Sequence, residues 1–283
     1  MSPLGRRNPS APLITVVMAT LNAAHHLSRS LGSLLEQSLR DFEVVLVDGG
    51  SQDQTPEKAA KILAEGGIRY RILIVPGLGI YGAINCGVAD AQGDWIFVMG
   101  ADDRINESRV FSSMAPHLLG AGRAVLVVHG DVWIEDPGYR YGQPWDLPRF
   151  LDRNISHQSA FYCRRKVQRS GVKYDEKYAL YADWDYNLNL FSRGKFSYVP
   201  LLVASYACTG ASSQREDAIF LAEKEKKARE YFGWRSIFLM PPFRFSMACG
   251  ERPGLLFHAQ FLLNRMVWSL KRVGMSRPVQ LSS

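Results

Sequence analysis

Cysteine is scarce and scattered in this chain. The four cysteines, Cys86, Cys163, Cys208 and Cys249, lie far apart with no CxxC pair and no metal-ligand spacing, which excludes a disulfide framework and a zinc ribbon. They read as structural, reduced thiols of a cytosolic compartment. Long apolar runs are also missing: no stretch reaches the about 18 uninterrupted apolar residues of a spanning helix. Met1 to Pro12 lacks the apolar core of a signal peptide, so the expected location is the cytoplasm. There is no zinc-finger spacing, RNP-like aromatic motif or long Lys/Arg run, which argues against nucleic acid as a partner. Internal repeats and low-complexity segments are absent as well. What is present is 47% hydrophobic residues in 283, enough to bury the core of one large α/β domain with an appendage. The net charge of +7 is uneven, because residues 204–283 carry 12 Lys/Arg against 6 Asp/Glu while the rest is nearly neutral.

Leu13 to Ala19, Phe42 to Val47 and Arg69 to Val75 are β-branched runs that read as buried strands. Helix-length segments separate them, Leu27 to Ser38 and Pro56 to Glu65, the second with Thr55 as N-cap and Pro56 at the first helical position. The alternation continues through helix Ala83 to Ala91, strand Trp95 to Met99, helix Ser108 to Leu119 and strand Ala124 to Val128. Repeated βα units predict a mostly parallel sheet covered by helices on both faces. Ligands of such sheets sit beyond the carboxyl ends of the strands, where Thr20, Asp48 and Asp102 fall. Trp133 to Phe150, rich in Gly, Pro and aromatics, reads as a loop or hairpin. Helices Asp183 to Arg193 and Gln214 to Phe232 follow, with strand Phe196 to Val203 between the first and second.

Three loops bear chemistry. Strand Trp95 to Met99 stops at Gly100-Ala101-Asp102-Asp103, and two neighbouring anions at a strand end repel unless a cation or donor network holds them. That pattern points to a divalent metal that completes its shell with diphosphate oxygens; the alternative is a helix-start loop whose charges favour the next helix. Thr20-Leu21-Asn22 and Asp48-Gly49-Gly50-Ser51-Gln52-Asp53-Gln54-Thr55 place polar groups at adjacent strand ends, suited to a nucleobase and ribose with Asp48 as principal contact, or to an ordinary turn in which Asp53 and Thr55 cap a helix. Gly77-Leu78-Gly79-Ile80-Tyr81-Gly82 matches GxGxxG. Pro76 before the first glycine, its place after the third strand and the doubled acid downstream speak against a dinucleotide fingerprint.

Pro12 to Asn22, Val44 to Thr55, Gly79 to Gly87 and Gly93 to Asp103, followed by His157-Gln158 and Tyr181 to Leu188, together resemble family 2 glycosyltransferases of the GT-A fold, in particular small bacterial enzymes of exopolysaccharide, colanic-acid-like and lipopolysaccharide synthesis. The resemblance covers about residues 12–205 and implies a GT-A, Rossmann-like domain there, with 206–283 as a helical, basic-aromatic extension. It makes Thr20, Asn22 and Asp48 nucleotide contacts, Asp102 and Asp103 the DxD-like pair that holds ribose and Mg²⁺ or Mn²⁺, and Asp183 the catalytic base. Tyr81 and Asn85 are further donor contacts, since Ile84 stands where an Arg is common; His157 is expected near the donor diphosphate or the acceptor, or else as a structural histidine. Gly100 and Ala182 each replace an acid of the family pattern, so which carboxylate meets the metal stays open, as does an N-cap role for Asp183.

The implied reaction is inverting transfer of a sugar from a nucleotide-diphosphate sugar to a hydroxyl of a saccharide, with a polyprenyl-diphosphate-linked saccharide as one form of that acceptor. Two other classes stand beside it, a nucleotidyltransferase, disfavoured because Thr20 to His25 lack glycine, and a noncatalytic sugar-nucleotide- or glycan-binding module. The aromatic-basic segment around Pro241-Pro242 and the amphipathic Leu255 to Arg272 suit either a peripheral contact with anionic lipid through 235–272 or packing on the domain or a second copy.

Overall fold

Three largely apolar runs and the more polar Arg69–Ile74 lie in the first hundred residues, and in the computed structural model, which describes residues 10–206 and 216–233, they become parallel strands. These are β1 (Ile14–Thr20), β2 (Phe42–Asp48), β3 (Arg69–Ile74) and β4 (Trp95–Val98), linked by α1 (Leu27–Leu35), α2 (Thr55–Glu65) and α3 (Gly79–Asp90). Then come β5 (Arg104–Ile105), α4 (Val110–Leu119), β6 (Val125–Ile134), β7 (Tyr139–Tyr141), α5 (Leu147–Asp152), a 3-10 turn (His157–Ser159), β8 (Ala160–Cys163), α6 (Arg164–Ser170), α7 (Ala182–Arg193), β9 (Lys195–Tyr206) and α8 (Ala218–Phe232). One sheet runs β3-β2-β1-β4-β8-β6-β9-β5, with β7 paired to β6. β1 to β4, β6 and β9 point one way, and β5, β7 and β8 the other, so the sheet is mostly parallel.

Both faces of the central strands are buried, which is why their sequences do not alternate. Ile14, Val16 and Met18 face α1, α2 and α4 through Leu31, Leu63 and Phe111, whereas Val17, Ile96 and Val98 face the side covered by α3 and α5 to α8. At about 25 cal/mol per Å² of apolar surface removed from water, such two-sided burial is the main stabilising contribution.

Several sequence expectations shift. β3 is an edge strand, largely half-buried, with Ile74 at 54% exposure, rather than a buried one. Thr55 is the first residue of α2 and not its cap: Gln54 precedes it in the left-handed region, and the Thr55 N–H donates to Asp53. The strand predicted to end at Val128 runs on to Ile134, because β9 and then β7 give its second half partners. The Pro- and Gly-rich stretch after it is a hairpin followed by α5. α8 begins at Ala218, with Asp217 accepting from the Phe220 N–H as N-cap, and buries Phe220 and Ala228 in the second core. Leu255 to Arg272 and the segment from Arg235 lie outside the described residues.

Topology decides what meets at the carboxyl edge. Thr20 and Asp48 are register partners at the ends of β1 and β2, and Gly100 to Asp103 follow β4. β8 is antiparallel to β4, so its first residues lie where β4 ends. The turn His157–Ser159 that leads into β8 is thereby delivered to the same edge.

Candidate active site

Asp48 is fully buried, and donors surround it: Oδ1 accepts from the backbone N–H groups of Gly50 (2.9 Å) and Ser51 (2.7 Å), Oδ2 from the hydroxyls of Ser51 (2.6 Å) and Thr20 (3.0 Å). Burial works against its charge, but these hydrogen bonds outweigh it and hold the carboxyl below its ordinary value. Asn22, at φ 50°, ties the same two loops: its N–H donates to Ser51 Oγ (2.8 Å), and its Oδ1 accepts from Gln52 N–H (2.9 Å). Thr20, Asn22 and Asp48 are therefore together, with Asp48 acting as the organiser of the loop wall.

Asp102 is half-buried and Asp103 only 1% exposed. Asp103 Oδ2 accepts from Gly100 N–H (2.9 Å) and Gln158 Nε2 (3.0 Å), while its buried Oδ1 has no hydrogen-bond partner among the described residues. Burial, reinforced by the charge of Asp102 and opposed by His157, pushes the Asp103 carboxyl up to about 6. Gly100 explains why an acid is missing there: a Cβ would stand 2.8 Å from Asp103 Oδ2 and 2.9 Å from Asp102 Oδ1. Both carboxylates lean over the glycine.

Asp183 sits in the first turn of α7, its Oδ2 accepting from Asn154 Nδ2 at 2.8 Å and lying 3.5 Å from His157 Nδ1, its Oδ1 accepting from the N–H of Trp184. Burial opposes protonation of His157, but its bond to Asp183 and the charges of Asp183, Asp103 and Asp102 lift it above its ordinary value. The turn carrying His157 and Gln158 thus touches both acidic groups, Asp183 through the ring and Asp103 through the amide. Tyr81 donates to the Leu180 carbonyl, and burial with the nearby Asp183 charge raises its phenol strongly. Asn85 is used differently. Its Nδ2 donates to the Tyr174 carbonyl (2.9 Å) and Glu176 (3.2 Å), and its Oδ1 accepts from Tyr174 N–H (2.9 Å), so it clips the segment before α7 to α3.

The sequence profile described as Glycosyl transferase family 2 matches residues 15–170, which hold the strand-end loops, the acidic pair and His157. The chain belongs to glycosyltransferase family 2. A PGL/p-HBAD biosynthesis glycosyltransferase of Mycobacterium bovis (strain BCG / Pasteur 1173P2) is 38% identical over 200 residues, 70% of this chain and 77% of that one. TarS of S. aureus in complex with UDP-GlcNAc superposes with TM-score 0.63 at 15% identity, over 89% of this chain and 79% of that one. The mannosyltransferase PcManGT of Pyrobaculum calidifontis, in complex with GDP-Man and Mn2+, gives 0.57 at 17% identity, over 98% and 81%. At these identities the two structures speak for the fold, which is GT-A.

In this family 2 glycosyltransferase the donor set fits a divalent ion of the kind that keeps substrate phosphate and water in its shell: a half-buried carboxylate beside a buried one with an orphaned oxygen. Among the described residues no group of three or more His, Cys, Asp or Glu is arranged as an all-protein metal cage. The sequence reading missed Asn154, Asn187 and Tyr162, which stand behind Asp183. One signal was available, since Asn187 follows Asp183 by four residues and so shares its helix face.

Proposed function

We propose that this glycosyltransferase moves a sugar, with inversion, from a nucleoside-diphosphate sugar to a hydroxyl of a saccharide or of a polyprenyl-diphosphate-linked saccharide in bacterial surface polysaccharide or glycolipid synthesis. The observation that carries the reading is that one turn reaches both acidic groups: His157 Nδ1 lies 3.5 Å from Asp183 Oδ2, and the next residue, Gln158, donates to Asp103 Oδ2 at 3.0 Å. Thr20, Asn22 and the Asp48 loop form the nucleoside wall, and Tyr81 closes the side next to Asp183. Asp183 takes the proton of the acceptor hydroxyl as its oxygen attacks the anomeric carbon opposite the nucleotide. Asp102, with Asp103 behind it, would hold a Mg²⁺ or Mn²⁺, which supplies positive charge to the departing diphosphate. The neighbours' UDP-GlcNAc and GDP-Man ligands support a nucleotide-sugar donor.

We assign the glycosyltransferase domain to residues 12–205 and the extension to 206–283, with α8 docked on α7 through Tyr231, which donates to Asp185 at 2.9 Å. Among the described residues no helix is long and apolar enough to cross a membrane. The basic-aromatic sequence of 235–272 supports a peripheral contact at the cytoplasmic face of the membrane, which cosedimentation with anionic vesicles at low and high salt tests.

The deciding experiment is nucleotide release from UDP-, GDP- and dTDP-sugars with Mg²⁺, Mn²⁺ or EDTA and a lipid-linked saccharide extract, for wild type and Asp183→Asn. Metal-dependent release from one donor, lost in the variant, is expected. Donor binding without release from any mixture supports a binding module instead.

A further inference from the structure

Asp183 is held by more than its own helix. Asn154, in the link between α5 and the His157 turn, donates from Nδ2 to Asp183 Oδ2 at 2.8 Å. Asn187 donates from Nδ2 to Asn154 Oδ1 at 3.0 Å, and Tyr162 donates its hydroxyl to Asn187 Oδ1 at 2.9 Å. The polarity of this chain is forced, because an ionised carboxylate only accepts; Asn154 must turn its NH₂ to Asp183, which leaves its carbonyl for Asn187 and that of Asn187 for Tyr162. Asn187 and Tyr162 are essentially without solvent contact, so a broken link strands a buried polar group without water to replace its partner. Bonds aligned head to tail also polarise one another toward the carboxylate. The backbone of Asn154 is itself anchored, since the Tyr141 hydroxyl donates to its carbonyl.

The two oxygens of Asp183 are thereby fixed in different ways. Oδ1 faces the Trp184 N–H and Oδ2 faces Asn154, with His157 at 3.5 Å. Rotation about the carboxyl bond would break both. Tyr162 lies on β8, the strand whose entry turn carries His157 and Gln158, so one short segment reaches Asp183 through His157, Asp103 through Gln158, and α7 through Asn187.

We propose that Asn154 is a positioning residue for Asp183, locked by Asn187 and Tyr162, and that this side-chain chain sets the direction in which the carboxylate meets the acceptor hydroxyl. The inference rests on the reading of Asp183 as the base.

The test uses the full chain as wild type, Asn154→Ala, Tyr162→Phe, Asp183→Ala and the Asn154→Ala/Asp183→Ala double variant. Nucleoside-diphosphate release from UDP-GlcNAc, GDP-mannose and a dTDP-sugar is followed with Mn²⁺ and a lipid-linked saccharide extract, and thermal unfolding is recorded for each protein. Asn154→Ala should lower kcat about tenfold or more with donor KM nearly unchanged, and Tyr162→Phe should act in the same direction by less. Once Asp183 is absent, Asn154→Ala should lower the residual rate no further, and the Tm losses of the two single variants should not add. An equal fall in kcat with and without Asp183, or a rise in donor KM at constant kcat, overturns the inference. No release by the wild type from any donor overturns the reading of Asp183 as the base and the positioning role with it; the unfolding cycle then judges the Asn154–Asp183 tie alone, which additive Tm losses would remove.

Discussion

Nδ1 of His157 lies 3.5 Å from Oδ2 of Asp183, and the same ring is within electrostatic reach of Asp102 and Asp103. His157 thus stands against Asp183 while its neighbour Gln158 donates to Asp103. His157→Gln is expected to lower kcat about tenfold while donor affinity changes less, because the interaction with Asp183 is lost and the loop walls around Asp48 are untouched. Steady-state kinetics with donor calorimetry checks this; a large loss of donor affinity at constant kcat would assign the ring to the diphosphate instead.

Gly100 admits no side chain without moving a carboxylate. Its Cβ position is 2.8 Å from Asp103 Oδ2, an atom pinned by Gln158 and by Gly100 N–H. Gly100→Ala should cost about 1–3 kcal/mol of stability through overpacking. It should also weaken UDP binding in the presence of Mn²⁺ more than in EDTA. Gly100→Asp, which writes the family's more usual acid into the loop, should do worse than alanine; tighter Mn²⁺-dependent binding by that variant would refute the packing argument.

Glu43 is a buried charge remote from the active edge. It accepts from Thr15 Oγ1 (2.7 Å), Arg71 Nη1 (2.9 Å) and Gln92 N–H (2.9 Å), joining β1, β2, β3 and the turn before β4. Burial resists its ionisation, yet Arg71, Thr15 and Gln92 hold it below its ordinary value. Glu43→Ala leaves Arg71 with Asp90 as its ion-pair partner but strips Thr15 Oγ1 and the Gln92 N–H of their acceptor, and should cost about 1–3 kcal/mol in urea denaturation. Because its folded value is depressed, its stabilising contribution is present above the ordinary value of 4.5 and lost as pH falls through the folded one.

His129 predicts an acid sensitivity of its own. It is 1% exposed, its Nδ1 has no hydrogen-bond partner among the described residues, and burial pulls it down to about 4 from an ordinary 6.5. Between those values the unfolded chain binds a proton that the native state refuses, so stability falls as pH drops through this window, by about 3 kcal/mol in all. Urea midpoints at pH 7 and pH 4.5 should differ less in His129→Phe than in wild type. An unchanged difference would locate the acid sensitivity elsewhere.

Strand patterning and loop chemistry carried much of this protein. The β-branched runs of β1, β2 and β4 could be read without a structure because burial on both faces writes an unbroken apolar signal, and the positions of Thr20, Asp48 and Asp102 at the carboxyl edge follow from parallel topology. The short elements were not legible in that way. Ala160 to Cys163 is as short as β4 but holds no Val, Ile or Thr to mark it as a strand, and yet β8 is the strand that brings His157 beside Asp183 and Gln158 beside Asp103.

The side chains that hold Asp183 belong to the same class of information. Asn154 and Asp183 are 29 residues apart, Asn154 and Asn187 are 33, and Tyr162 and Asn187 are 25; an asparagine in a link and another in a helix look like surface residues until the chain is folded. Local sequence specifies which segments become strands and which loops carry carboxylates, because propensity and burial act over a few residues. Tertiary packing decides which loop carboxylate turns inward and which amide faces it, because those choices depend on an antiparallel β8 between β4 and β6 and on where α7 docks.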